Sequence, residues 1–163
     1  MDFSKFDNSN IDLKAIEDAK ANPPKGDFDT PAGNYIVKIE KMELGATKDG
    51  RPMFKAMCRV VEAGENATAE VKEYLSHFKK GKMPCLFMNR VVYGTKNDAN
   101  MIASVLGWLD KLETHTKPEF KNYSQFADNI LDIFEEVADA IELDVLYDPQ
   151  SFNSIEIAEV FDI

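Results

Sequence analysis

The middle of the chain holds two kinds of side chain that suit a polyanionic ligand carrying flat rings. Lysine and arginine recur between residues 38 and 96, and aromatic residues lie among them. Cations can follow a line of phosphates, and each flat side chain that stacks on a base contributes about 1–3 kcal/mol. Ten cations are therefore candidate ligand contacts: Lys38, Lys48, Arg51, Lys55, Arg59, Lys79, Lys80, Lys82, Arg90 and Lys96.

The aromatic residues of this region divide into two groups according to their neighbours in the sequence. Rings near predicted loops are the better candidates for stacking, and the role of a hydrophobic anchor for its loop is the alternative for each: Tyr74, Phe78 and Tyr93. Rings in register with apolar neighbours are expected to lie in the core: Tyr35, Phe54 and Phe87.

The position of the cations along their strands decides whether they act together. Every second side chain of a strand lies on the same side of its sheet. This alternation predicts that four cations share the outer side and form one phosphate-facing strip: Lys38, Lys55, Arg59 and Arg90. A set of ordinary solvated cations is the alternative interpretation, and the sequence leaves it open.

Residues that could support catalysis or bind a metal are sparse. His77 and His115 have no paired carboxylate or second histidine at a suitable spacing. Gly81 and Lys82 lack the upstream glycines of a phosphate-binding loop. The acidic run over residues 132–139 has the spacing of a solvated helix face. We therefore predict a protein that is not an enzyme, with no catalytic residue, no cofactor and no metal site.

The distribution of charge is more informative than the total. A formal net charge of −10 argues against a nucleic-acid partner, because affinity for phosphates depends on Lys and Arg. Residues 33–96, however, carry 12 basic and 7 acidic side chains, whereas residues 97–163 carry 3 basic and 15 acidic ones. This polarity is compatible with a cationic binding face, and equally with an acidic protein that has no such face.

The cysteines and the apolar segments indicate the compartment. Cys58 and Cys85 lie in strand-like runs without zinc-ligand spacing, which predicts buried free thiols and a reducing environment. The sequence shows neither a signal peptide nor an apolar run near the ~20 residues that span a bilayer. We expect a soluble protein of the cytoplasm that does not contact a membrane.

The hydrophobic period assigns the secondary structure. A period of two predicts strands over residues 34–44, 53–62 and 141–145, with a hairpin turn at Asp49-Gly50. The apolar run over residues 83–93 and the segment over 152–161, which follows a turn, are also predicted to be strands. A period near 3.6 predicts helices over residues 98–113, capped by Asn97 or Asp98, and over 124–137. Trp108 lies on the apolar stripe of the first helix, which places it in the core. Residues 63–81 show no regular period.

The order of these elements predicts a mainly β fold with α-helices. Five strands with two helices inserted between strands 3 and 4 are the pattern of an OB-fold-like five-stranded barrel, and a small α+β sandwich fits the same pattern. The barrel domain is expected to cover residues 31–163. The polar segment over residues 1–30, with its Pro23-Pro24 pair, predicts a flexible or loosely docked arm.

Several segments of the chain also carry a family resemblance. They are TPAGNYIVKIEKMEL (30–44), DGRPM (49–53), LFMNRVVYGTKND (86–98), NYSQFAD (122–128) and FNSIEIAEVF (152–161). Together they resemble a family of small OB-type proteins from the replication and recombination modules of tailed phages of Gram-positive bacteria. The resemblance implies a phage single-stranded-DNA-binding protein in the cytoplasm of the bacterial host.

The residues and the resemblance lead to one main expectation and one alternative. The main expectation is a non-catalytic protein that binds single-stranded DNA and supports phage DNA replication or recombination. The alternative is an interaction module of the same pathway, which contacts a phage recombinase, a helicase or host replication proteins and binds DNA weakly or not at all. A homodimer formed through a strand edge is a further expectation. A nuclease is disfavoured by the lack of a convergent metal or acid–base cluster.

Overall fold

Five antiparallel strands form one open sheet in the computed structural model, which describes residues 30–163. The strand order across the sheet is β3-β2-β1-β4-β5. The strands are β1 (Gly33–Ala46), β2 (Pro52–Ala63), β3 (Cys85–Val91), β4 (Ile141–Asp148) and β5 (Ser154–Asp162). The prediction of a mainly β fold with five strands and added helices is confirmed. Except for Thr30, the predicted N-terminal arm lies outside the described residues.

Three helices accompany the sheet in the described part of the chain. They are α1 (Ala69–Ser76), α2 (Asp98–Asp110) and α3 (Tyr123–Val137). The side chains of Thr68, Asn97 and Asn122 each accept a hydrogen bond from a free backbone N–H of the first helical turn. Helix α1, which lies between β2 and β3, was not predicted from the sequence. Among residues 30–163, no helix combines the length and the apolar character needed to cross a membrane.

The core lies between the inner side of the sheet and the helices. Tyr35 and Phe54 are fully buried, as predicted. Trp108 of α2 is also buried, with its ring centroid 5.7 Å from that of Phe54, and its Nε1 donates a 2.7 Å hydrogen bond to the carbonyl of Ile155. This bond fixes α2 on β5 while the indole fills the core.

The connection from β2 to α1 is anchored by a buried asparagine. The Asn34 amide donates to the Asp144 carboxylate and, at 3.0 Å, to the carbonyl of Val145, and its Oδ1 accepts from the backbone N–H of Asn66 at 3.0 Å. Any Cβ at Gly64 would overlap the Asn34 side chain. Glycine is therefore required at this close approach between the start of β1 and the segment that follows β2.

Candidate nucleic-acid interface

The outer side of β1, β2 and β3 brings side chains of the three strands into rows. Directly opposite residues of an antiparallel pair project to the same side of the sheet. The observed register gives three such rows: Lys38–Arg59–Cys85, Lys41–Met57–Phe87 and Glu43–Lys55–Asn89. We call these nine residues the basic face. Three of the four cations of the predicted strip, Lys38, Lys55 and Arg59, lie on it.

Phe87 is the aromatic side chain of the basic face. Half of its surface is exposed (50 %), opposite Met57 and in the row beside Lys55. Its predicted place in the core is wrong, because its neighbours Leu86 and Met88 are the buried side chains that face inward. An exposed ring among cations is the arrangement that stacking on a nucleic-acid base requires.

Arg90 does not belong to the strip. It pairs with the buried Phe54, so its Cα lies at a core-side position of β3. Its guanidinium turns to the sheet edge and donates hydrogen bonds to the carbonyls of Asn89 and Phe152 at 2.8 and 2.7 Å. Partial burial lowers the pKa of Arg90. The alternation-based placement of Arg90 on the outer side is therefore wrong, and the residue joins β3 to the β4–β5 turn.

Arg59 lies on the basic face, but its charge is already paired. Its Nε and Nη2 donate to the Glu40 carboxylate at 2.5 and 2.9 Å, and its Nη1 donates to the carbonyl of Met83 at 2.7 Å. The hydrogen bond from Arg59 lowers the pKa of Glu40. Lys41 also forms an ion pair, with Glu43 at 3.6 Å. Lys38 and Lys55 are thus the cations of this face that are better placed to meet a phosphate.

Cys85 ends the same row as Arg59 and differs from Cys58 in its surroundings. Cys58 is fully buried, and burial raises its pKa to about 12. Cys85 is only partly buried, and its Sγ lies 3.9 Å from the Glu40 carboxylate. Both thiols are free, as predicted. The prediction that both are buried is wrong for Cys85.

Two further predicted cations lie at one end of the basic face, in the turn between β1 and β2. Arg51 donates a 3.0 Å hydrogen bond to Asp49, and Lys48 is exposed in the same turn. A Cβ added at Gly94 would lie 3.3 Å from Cδ of Arg51, so this turn packs against the loop that follows β3. That loop carries Lys96, which is also exposed.

Two exposed aromatic rings lie near this end. Tyr93 is 52 % exposed, as its position near a predicted loop indicated, and its ring contacts that of Tyr123 edge to face at 5.8 Å. Phe152 is 87 % exposed in the β4–β5 turn and has a φ of 55°. Phe152 was not among the predicted stacking residues, although a phenylalanine beside a predicted turn is a recognisable signal.

The opposite end of the basic face opens into a cleft of about 700 Å³ between β2, α1 and the loop before β3. Its lining includes the predicted residues Lys38, Arg59, Phe78 and Lys80, and also Lys72 of α1, which the sequence analysis missed. Lys79 and Lys82 lie on the loop beside the cleft, where the Lys82 N–H donates to the Lys79 carbonyl at 2.9 Å.

Tyr74 is less suited to stacking than predicted. Its side chain is partly buried against the core, and its hydroxyl forms a 2.9 Å hydrogen bond with Thr30. Its ring also contacts the ring of Phe78 edge to face at 5.1 Å. These contacts favour the second role considered for Tyr74, that of an anchor for its segment.

Comparison with known proteins does not identify a family for this chain. No protein-family model, no curated protein and no solved structure matches the chain. The resemblance to phage proteins therefore stays a prediction from the sequence.

The titratable residues outside the basic face do not converge on a metal. Residues 30–163 contain no group of three or more His, Cys, Asp or Glu side chains that could hold one. In the acidic run on α3, Glu136 accepts hydrogen bonds from the backbone N–H groups of His115 and Thr116 at 2.7 and 3.2 Å. Glu136 thus fixes the loop before α3.

Proposed function

We propose that the chain binds single-stranded DNA across its basic face. The observation that carries the proposal is the half-exposed Phe87, in the middle row and on the edge strand of a sheet face that also presents Lys38, Lys41 and Lys55. A ring that stacks on a base and cations that reach the adjoining phosphates are the two requirements for binding a single strand without sequence preference.

The strand order supports an OB-type barrel as the scaffold of this function. An OB-fold binds oligonucleotides on the face of its second and third strands and through the loops β1–β2 and β4–β5. In this chain, the corresponding strands carry Lys55 and Phe87, and the corresponding loops carry Arg51 and Phe152. The contact between Arg90 and the carbonyl of Phe152 brings the edge strand β3 close to the β4–β5 turn, as a partly open barrel requires.

The biological setting is proposed from the resemblance. A non-catalytic protein with this face would coat single strands during phage DNA replication or recombination in the cytoplasm of the bacterial host. A phage recombinase, a helicase or host replication proteins would be its protein partners.

A second candidate function is supported by the other half of the sheet. Leu146 and Phe161 are exposed on the outer side of β4 and β5, and β5 is an edge strand. Exposed edges and apolar side chains are used for pairing with another chain. This region would suit a protein partner or a second copy of the chain, with DNA contact weak or absent.

A titration separates the two candidates. The purified protein is added to fluorescently labelled oligo-dT and to a matched duplex, and polarisation is read at low and near-physiological salt. We expect tighter binding to the single strand, with a logarithmic salt slope of about −0.7 for each phosphate neutralised. Failure of both ligands to bind at low salt would contradict DNA binding and favour the interaction module.

A further inference from the structure

The cleft beside the basic face combines three kinds of chemistry in one place. Its walls include the apolar side chains of Val61, Leu75, Phe78 and Met83. Its cations come from separate elements: Lys38 from β1, Arg59 from β2, Lys72 from α1 and Lys80 from the following loop. Two carboxylates, Glu62 and Glu142, also line it.

This combination matches the parts of one nucleotide. A base has apolar faces and a polar edge, and its phosphate is anionic. Apolar walls suit the faces of the base, and a lysine suits the phosphate. A carboxylate accepts a hydrogen bond from an exocyclic amino group such as N4 of cytosine. Thymine lacks an exocyclic amino group, so it would leave Glu62 and Glu142 without that donor.

The cleft is continuous with the basic face. Lys38 and Arg59 belong to the row Lys38–Arg59–Cys85 and also line the cleft. A single strand lying on Phe87 and Lys55 would therefore reach the cleft without leaving a cationic surface. Since Arg59 is paired with Glu40, the remaining cations Lys38, Lys72 and Lys80 are the ones available to a phosphate there.

We propose that this cleft binds one nucleotide of the single strand and favours a base with an exocyclic amino group over thymine. The inference rests on the proposed function and adds to it a base preference and a path beyond the sheet. The cleft residues Lys72, Glu62 and Glu142 carry this part of the function, and none of them belongs to the basic face.

The test compares oligo-dC with oligo-dT of equal length, using wild type, Lys72→Ala and the double variant Glu62→Ala/Glu142→Ala. Alanine is the best helix former, so the change at Lys72 should leave α1 folded. Lys111→Ala, at the C-terminal end of α2, is the matched control for loss of one exposed lysine. Far-ultraviolet circular dichroism checks the fold of each variant.

We expect wild type to bind oligo-dC about five-fold more tightly than oligo-dT, and the double carboxylate variant to lose this preference. Lys72→Ala should weaken both complexes by up to about five-fold, whereas Lys111→Ala should not. Equal affinity of wild type for the two oligomers, or unchanged affinity in folded Lys72→Ala, would overturn the inference while leaving the proposed function standing. Binding of neither oligomer would instead contradict the proposed function itself.

Discussion

The two halves of the sheet share one pairing pattern but carry opposite charge on their outer side. On β1–β3 the outer side presents Lys38, Lys41, Lys55 and Phe87. On β4–β5 it presents carboxylates together with Leu146 and Phe161, and the carboxylates are Glu142, Asp144, Glu156 and Glu159. The net charge of −10 does not show this separation, because it is a sum over the whole chain, in which the acidic residues outnumber the basic ones.

The inner sides of the two halves show that packing does not impose this difference. Val37, Cys58 and Leu86 are buried under the basic face, and Leu143 and Ile157 are buried under the acidic half. Both sets are apolar and meet the same core. The outer side chains could therefore differ in charge without changing the inner packing, and the proposed DNA contact would account for their separation.

The largest expected effect is the loss of the Phe87 ring from the middle row of the basic face. Phe87→Ala should weaken binding to oligo-dT by roughly five- to a hundred-fold, because it removes one stacking platform. Phe161→Ala is the matched control, since it removes an exposed phenylalanine from the acidic half. Polarisation titrations measure both. Equal losses for the two variants would remove the functional distinction between the halves.

Arg90, at the junction of β3 with the β4–β5 turn, should affect stability more than binding. Arg90→Met removes the donor to the carbonyls of Asn89 and Phe152 and should lower the free energy of unfolding by about 1–2 kcal/mol. Urea unfolding measures this change. Because Arg90 does not lie on the basic face, the salt slope of binding should stay unchanged. A slope reduced by about 0.7 would assign Arg90 a phosphate contact instead.

A single cation of the basic face should have a smaller effect that depends on salt. Lys55→Ala should weaken binding to oligo-dT by up to about five-fold and reduce the logarithmic salt slope by about 0.7. Lys111→Ala, which removes a lysine beside β5, should change neither quantity. A matching loss in Lys111→Ala would show that total charge, rather than the basic face, controls affinity.

The smallest expected effect on binding comes from breaking the ion pair between Arg59 and Glu40. Glu40→Gln should free Arg59 and strengthen binding to oligo-dT by at most a few-fold at neutral pH. Unchanged or weaker binding would show that the pair serves the fold alone.

The same pair predicts a dependence of stability on pH. Because the pKa of Glu40 is lowered in the folded chain, its contribution is fully present above its ordinary pKa of about 4.3 and is lost as the pH falls through the folded value. Urea unfolding should show a smaller loss of stability on acidification in Glu40→Gln than in wild type. Equal losses in both proteins would contradict the assigned role of the pair.

Local patterns in the sequence predicted the elements better than the contacts between them. Alternation, apolar runs and turn residues located all five strands, and of the two predicted caps of α2, Asn97 and Asp98, Asn97 is the one observed. The helix α1 was missed because its eight residues bury only Val71 and Leu75, which leaves little periodic signal.

Side-chain orientation was less predictable where the alternation was ambiguous or interrupted. Phe87 was misplaced because Cys85, Leu86, Phe87 and Met88 are all apolar, so their pattern does not show which two face inward. The Arg59–Glu40 pair crosses from β2 to β1 beside an irregularity in the register between Ile39 and Lys41, which alternation cannot reveal. The cleft forms where residues of β1, β2, β4, α1 and the loop before β3 meet, and only the folded chain shows that Lys72 lines it.

The central claim, that single-stranded DNA lies on the basic face and not on the acidic half, is tested most directly by mapping the bound surface. Backbone amide chemical shifts of isotopically labelled protein are followed by nuclear magnetic resonance during titration with oligo-dT. We predict that the largest changes occur at Lys55, Met57 and Phe87, with little change at Glu156 and Glu159. Changes concentrated on β4 and β5, or no changes at concentrations that saturate binding, would contradict the account.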